Sequence, residues 1–179
     1  MDGGISYLTE ACKKALGGIS EKERTDLTDR ILSAKSIFIF GVGRSGLVGQ
    51  TFAIRLVQLG LQVSFVGEMT TPIIKKDDLL ILISNTGNTM SVVTTAKIAR
   101  RIGSHVISVT SDANSNLAKN SDSVILVKPD ENKEMGEMAP LGTVFEDATL
   151  LFFDTLVPGL MRRLDLSEKD MRNNHAIWV

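Results

Sequence analysis

Two short polar stretches hold the residue types best suited to chemistry: Gly41-Val42-Gly43-Arg44-Ser45-Gly46 and Ser84-Asn85-Thr86-Gly87-Asn88-Thr89. Each follows an apolar, strand-like run and leads into a helix-like segment. The first offers glycine backbone, one cation and one hydroxyl, a set that suits a terminal phosphate dianion. The second offers three hydroxyls and a glycine ahead of a helix N-terminus, whose free N–H groups carry partial positive charge. One serine or threonine is enough to cap a helix, so three exceed that need. Two loops of this kind in one small protein can close on a single anion from two sides, which suggests a sugar-phosphate site. Gly43, Arg44, Ser45, Ser84, Asn85, Thr86, Gly87 and Thr89 are the expected ligands.

The first loop also fits G-x-G-x-x-G. As a dinucleotide fingerprint it calls for an acid about 20 residues further on, and Glu68 stands near that distance. The chain has little room for a separate substrate domain, however, and Arg44-Ser45 places a cation and a hydroxyl inside the loop. A nucleotide-triphosphate loop needs lysine where Leu47 stands. The plain structural alternative is a tight strand-to-helix turn that needs glycine for its backbone angles.

Acid–base groups come later in the chain. Glu146 lies in the first turns of a long apolar helix, where it can face the strand-end cleft and act as a base. Asp147 points about 100° away around the same helix and competes for that role. An acid that merely stabilises a helix N-terminus is the alternative for either. His175 can shuttle a proton between substrate oxygens, and it adjoins Ile177 and Trp178, which suggests a docked tail. His105 begins a strand pattern and reads as structural. Arg44 can bind phosphate or polarise a carbonyl oxygen. Glu68 and Thr71 are candidates for contact with sugar hydroxyls.

The elements that must position these groups follow from periodicity. Residues 1–34 read as two helices, with Ser20 and Glu23 at capping-box spacing. Apolar runs at 36–40, 62–66, 79–83, 105–110 and 123–127 read as buried strands. Helical patterns at 47–59 and 91–102 end at Gly60 and Gly103. Segment 129–140 reads as a loop or short excursion. Residues 143–164 read as a long apolar helix that Pro158 must kink or interrupt, and the tail from 167 starts helically. Alternating strands and helices imply an α/β doubly wound fold, a three-layer αβα sandwich with a five-stranded parallel sheet. Both polar loops then lie at the carboxyl ends of strands, where such sheets bind ligands.

At 179 residues the chain is expected to be one domain: N-terminal helices over 1–34, a core over 35–164 and a tail over 165–179. A net charge of −1 gives no reason to expect nucleic acid or an anionic membrane as partner. Cys12 is alone, so neither an intrachain disulfide nor a thiolate metal cluster is expected. The chain starts without a signal-like segment and contains no membrane-length apolar run, so a cytoplasmic location is expected. The surplus of apolar residues around Phe152, Phe153, Leu156, Val157, Leu160 and Met161 suggests an assembly.

Taken together, the two loops resemble the sugar isomerase (SIS) family of phosphosugar-binding domains, with Thr86 at the middle hydroxyl of that family's Ser-x-Ser-Gly-x-Thr pattern. Within it, Gly41 to Leu47, Phe52-Ala53-Ile54-Arg55-Leu56, Val66-Gly67-Glu68 with Thr71-Pro72, Pro140 to Glu146 and His175-Ala176 resemble the 6-phospho-3-hexuloisomerase branch. The resemblance implies a flavodoxin-like sheet and interconversion of D-arabino-3-hexulose 6-phosphate with fructose 6-phosphate through an enediol(ate), in the ribulose monophosphate pathway of formaldehyde assimilation. No cofactor or metal is implied. It favours Glu146 as base. It implies a homotetramer built from dimers, in which His175 can serve a neighbouring subunit's site. Two other readings stand beside it: another phosphosugar isomerase, or a non-catalytic phosphosugar-binding module of the same family.

Overall fold

Leu79 to Ile83 is buried along its whole length, and it forms the middle strand of a five-stranded sheet. A strand covered on both faces reads as an unbroken apolar run, as this one does. The computed structural model describes residues 2–130 and 133–175. Its elements run α1 (Asp2–Leu16), α2 (Glu21–Ser33), β1 (Ile37–Gly41), α3 (Arg44–Gln58), β2 (Val63–Phe65) and β3 (Leu79–Ile83). They continue α4 (Met90–Ile102), β4 (His105–Thr110), α5 (Asn116–Lys119), β5 (Ser123–Leu126), α6 (Lys133–Met138), α7 (Thr143–Arg163) and α8 (Glu168–Asn173).

All strand pairs are parallel and the order is β2-β1-β3-β4-β5. The register sets Ile37 beside Leu79 and Gly41 beside Ile83, so β1 and β3 end level with each other. From β1 the chain moves outward to β2. From β3 it moves the opposite way, to β4 and β5. That reversal opens a crevice between the ends of β1 and β3, the two strands that feed the polar loops.

One face of the sheet is covered by α1, α2, α3 and α7. Its core joins Ile37, Ile39, Ile81, Ile83 and Val109 to Phe52, Phe145, Phe152 and Phe153. Phe52 of α3 and Phe153 of α7 stack with centroids 4.1 Å apart, which fixes these two helices side by side. The other face is covered by α4 and α5, through Val92, Val93, Ala96 and Leu117 on Phe38, Leu80, Leu82 and Val106.

Ser20 and Glu23 form the capping box that their spacing predicts: Glu23 N donates to Ser20 Oγ at 3.2 Å and Ser20 N donates to Glu23 Oε2 at 2.8 Å. Two expectations need correction. Pro158 does not interrupt α7, which continues from Thr143 to Arg163. Both Pro158 and Asp154, whose carbonyl loses its helical donor, are exposed, so solvent can take the place of the missing N–H. The apolar surplus of α7 is also absorbed within the chain, because α1, α2 and α3 pack around it and bury Phe152, Phe153 and Leu160. The exposed apolar stripe lies instead on α3, at Leu47, Ile54 and Val57, with Leu151 exposed on α7. Among the described residues no helix is long and apolar enough to cross a membrane.

Candidate active site

The first loop is built on close backbone approach. A Cβ on Gly46 would sit 2.6 Å from the Gly41 carbonyl oxygen, and one on Gly41 would sit 3.0 Å from that of Ile83. Gly43, with φ +61°, turns the chain into α3 and supplies no side-chain cap. The second loop is pinned to the end of β4. The Asn85 carbonyl accepts from Ser111 N, Ser111 Oγ and Thr110 Oγ1, each at 2.9 Å. Gly87, with φ +62°, lies against Ser115, and a Cβ there would meet Ser115 Cβ at 2.5 Å and Thr110 Oγ1 at 2.9 Å.

The hydroxyls of this loop do not cap the helix that follows. Thr89 occupies the N-cap position of α4, yet its side chain makes no capping bond. Its Oγ1 instead lies 3.1 Å from Ser84 Oγ. Thr86 Oγ1 accepts from Asn88 N at 3.3 Å. The N-terminus of α7 is likewise uncapped, at Gly142 with φ +83°. Elsewhere serines cap the helices: Ser20 on α2, Ser115 on α5 and Ser167 on α8. Three helices that lack a side-chain cap, α3, α4 and α7, begin around one cavity of about 380 Å³, lined among others by Ser45, Ser84, Asn85, Thr86, Thr89 and Glu146. Each open helix start leaves N–H donors unclaimed and adds positive potential, which suits an anion.

Glu146 projects into this cavity from the first turn of α7. Its side chain is 9% exposed, whereas that of Asp147 is 42% exposed. Ser45 Oγ donates to Glu146 Oε1 at 3.2 Å, and Arg44 Nε donates to Glu146 Oε2. Arg44 Nη2 also reaches Asp147 Oδ1 at 3.4 Å. The hydrogen bond to Glu146, followed by the charges of Glu146 and Asp147, holds the Arg44 guanidinium above its ordinary pKa. The arrangement combines a buried carboxylate, a partly exposed cation beside it and a donor-rich anion cradle.

Within the chain the structure thus brings Arg44, Ser45, Ser84, Asn85, Thr86, Thr89 and Glu146 together, with Gly43 and Gly87 shaping the backbone. It sets Glu68, Thr71 and His175 apart. These three line a second cleft of about 770 Å³, beside Ile54 and Val57 of α3 and Phe65 of β2. Thr71 Oγ1 lies 2.7 Å from the Glu68 carbonyl and 3.0 Å from that of Phe65, and closes the turn between them. His175 is exposed just after α8, next to Asn174, whose Nδ2 donates to the Gln58 carbonyl at 3.1 Å. The expected docking of Ile177 and Trp178 lies outside the described residues. His105 stands at the opposite, amino end of the sheet, near Asp122 and Ser123. Burial there lowers its imidazole pKa, Arg30 adds to the effect and Asp122 opposes it.

Two contributors were missed as site residues from sequence. Gly142 is the left-handed residue that lets α7 start at the cavity, and its position directly before the long helix pattern was a usable signal. Leu141 lies at the cavity, almost fully exposed and with φ +56°. A leucine in that conformation is strained, and nothing in its residue type announced it.

The SIS domain family matches residues 30–155 of the chain. A 3-hexulose-6-phosphate isomerase of Methanocaldococcus jannaschii is 45% identical over 150 residues, covering 84% of this chain and 81% of that protein. A protein of the same name from Bacillus subtilis is 36% identical over 162 residues, covering 88% of each. A crystal structure from Methanococcus jannaschii, from which a molecular function of 3-hexulose-6-phosphate isomerase was inferred, superposes with a TM-score of 0.85 at 39% identity. It covers 98% of this chain and 97% of its own. With its sheet order, its paired loops and these matches in agreement, the chain belongs to the SIS domain family.

Proposed function

We propose that this protein is an isomerase that interconverts D-arabino-3-hexulose 6-phosphate and fructose 6-phosphate. The observation that carries the reading is the convergence of Glu146 with both hydroxyl-bearing loops and three uncapped helix starts on one cavity. Relatives bearing the corresponding name support it.

In this reading Ser84, Thr86 and Thr89, with backbone N–H groups of the two loops, take the phosphate. Glu146 removes the proton from C2 of the 3-ketose, and the electron pair of that C–H bond forms the C2=C3 double bond of an enediolate. Arg44 meets the oxygen that becomes negative on C3. Glu146 then returns the proton to C3 while the O2 proton passes to O3, which leaves the carbonyl at C2. Atoms and electrons balance without redox change. A 3-ketose with O6 esterified cannot form a five- or six-membered hemiketal through O5 or O6, so the forward reaction needs no ring-opening residue. Placement in formaldehyde assimilation by the ribulose monophosphate route follows the same reading.

The test is conversion in heavy water. The expected result is formation of fructose 6-phosphate carrying solvent deuterium at C3, with exchange at C2 of the re-formed 3-ketose. Binding of fructose 6-phosphate without exchange would identify a non-catalytic phosphosugar-binding module instead.

We further propose that the exposed α3 stripe, Leu47, Ile54 and Val57, is an interface in a homotetramer. The second cleft opens beside Ile54 and Val57, so Glu68, Thr71 and His175 stand on that face, available to a neighbouring subunit's site. Sedimentation at micromolar concentration is expected to show tetramers, and monomers there would exclude shared sites.

A further inference from the structure

We propose that Ser45 is a positioning residue, whose hydroxyl fixes the carboxylate plane of Glu146 so that Oε2 faces the substrate carbon. The inference rests on the reading of Glu146 as the base.

The two donors on Glu146 differ in kind. Arg44, on Oε2, is more than half exposed, and its guanidinium has a second anchor in Asp147. It can leave Oε2 for a substrate oxygen and keep an ionic partner. Ser45, on Oε1, is buried and reaches no further than one rotatable bond allows. If it turned away, Oε1 would lose a donor in a buried place, which is unfavourable for a carboxylate. When Arg44 departs, Ser45 therefore still holds the carboxylate's rotation.

A serine in the first turn of a helix commonly spends its hydroxyl on its own backbone. Ser45 instead reaches 101 residues along the chain, to the first turn of α7. Its single hydroxyl hydrogen is committed to Glu146, so a phosphate oxygen can draw only on its backbone N–H while that bond lasts. The G-x-G-x-x-G loop then does two jobs. Its glycines bring α3 close to the end of β3, and its Arg44-Ser45 pair addresses the two oxygens of one carboxylate separately.

The test compares Ser45→Ala, Ser45→Thr and Glu146→Gln, with inorganic phosphate as a competitive probe of the cradle. For Ser45→Ala we expect kcat to fall roughly 10- to 100-fold, the scale of losing one donor to a charged group. KM and the inhibition constant of phosphate should stay within about 3-fold, because the cradle hydroxyls are untouched. Ser45→Thr keeps the donor and should restore kcat to within about 3-fold of wild type, a rescue that a purely structural role would not follow. If Ser45→Ala does not fold, Ser45→Cys, with a poor donor of similar size, carries the same expectation. A rise in KM and in the phosphate constant with kcat unchanged would overturn the proposal and make Ser45 a phosphate ligand. An inactive Glu146→Gln beside a fully active Ser45→Ala would overturn it while leaving the base in place. Full activity in Glu146→Gln would show that the base reading itself had failed.

Discussion

Glu146→Gln is expected to lower kcat at least about 10²-fold while the protein stays folded, since removal of a general base typically forfeits 10²- to 10⁴-fold. The amide has nearly the size of the carboxylate. It can still accept from Ser45 or Arg44, but it cannot take a proton from carbon. Arg44 retains Asp147 as an ionic partner, so no charge is stranded in the core. The control is Asp147→Asn, for which we expect a loss of less than about 10-fold. Asp147 is half-buried, does not line the cavity, and pairs with Arg44 beside it. The assay is fructose 6-phosphate formation, with thermal unfolding as the check on folding. Wild-type turnover by Glu146→Gln would reject the assignment, and a dead Asp147→Asn beside it would transfer the role to Asp147.

Ser84→Ala and Thr89→Ala should each lower kcat/KM about 10-fold or more and shift the melting temperature by only a few degrees. Hydrogen bonds to charged groups contribute about 1.5–3 kcal/mol each, which corresponds to that range. These hydroxyls bond to one another rather than to the backbone of α4. Deleting one therefore removes no helix cap, and caps are where such residues usually earn stability of about 1 kcal/mol. Ser84 is buried and Thr89 half-buried, so the partner left behind at Thr89 can still meet solvent. Equal losses of thermal stability and of affinity would mean that the hydroxyls hold the loop in shape and do not serve the ligand.

The length and position of the central strands were legible in the sequence because a strand buried on both faces leaves an uninterrupted apolar signature. The runs 36–40 and 79–83 stand within a residue of β1 and β3. The same holds for the Ser20–Glu23 box, which is local chemistry acting over one helical turn. Short α5 went unread because four residues carry no periodicity. Pro158 was read by its local rule, and the rule was offset by solvent exposure that only packing sets.

For the site, sequence by itself determined the residue types: two hydroxyl- and glycine-bearing loops, each following a strand, and an acid at the start of a long helix. Loop chemistry and strand patterning are local, so they survive in the one-dimensional record. Which acid faces inward was decided only by the tertiary structure. So was the meeting of Ser45 and Arg44 with opposite oxygens of Glu146, and so was the separation of Glu68, Thr71 and His175 from the loop cavity. The physical reason is that these relations depend on the reversal of strand order between β1 and β3 and on the roll of α7 against α3. Both are settled by packing between segments about a hundred residues apart, and no spacing within either segment encodes them.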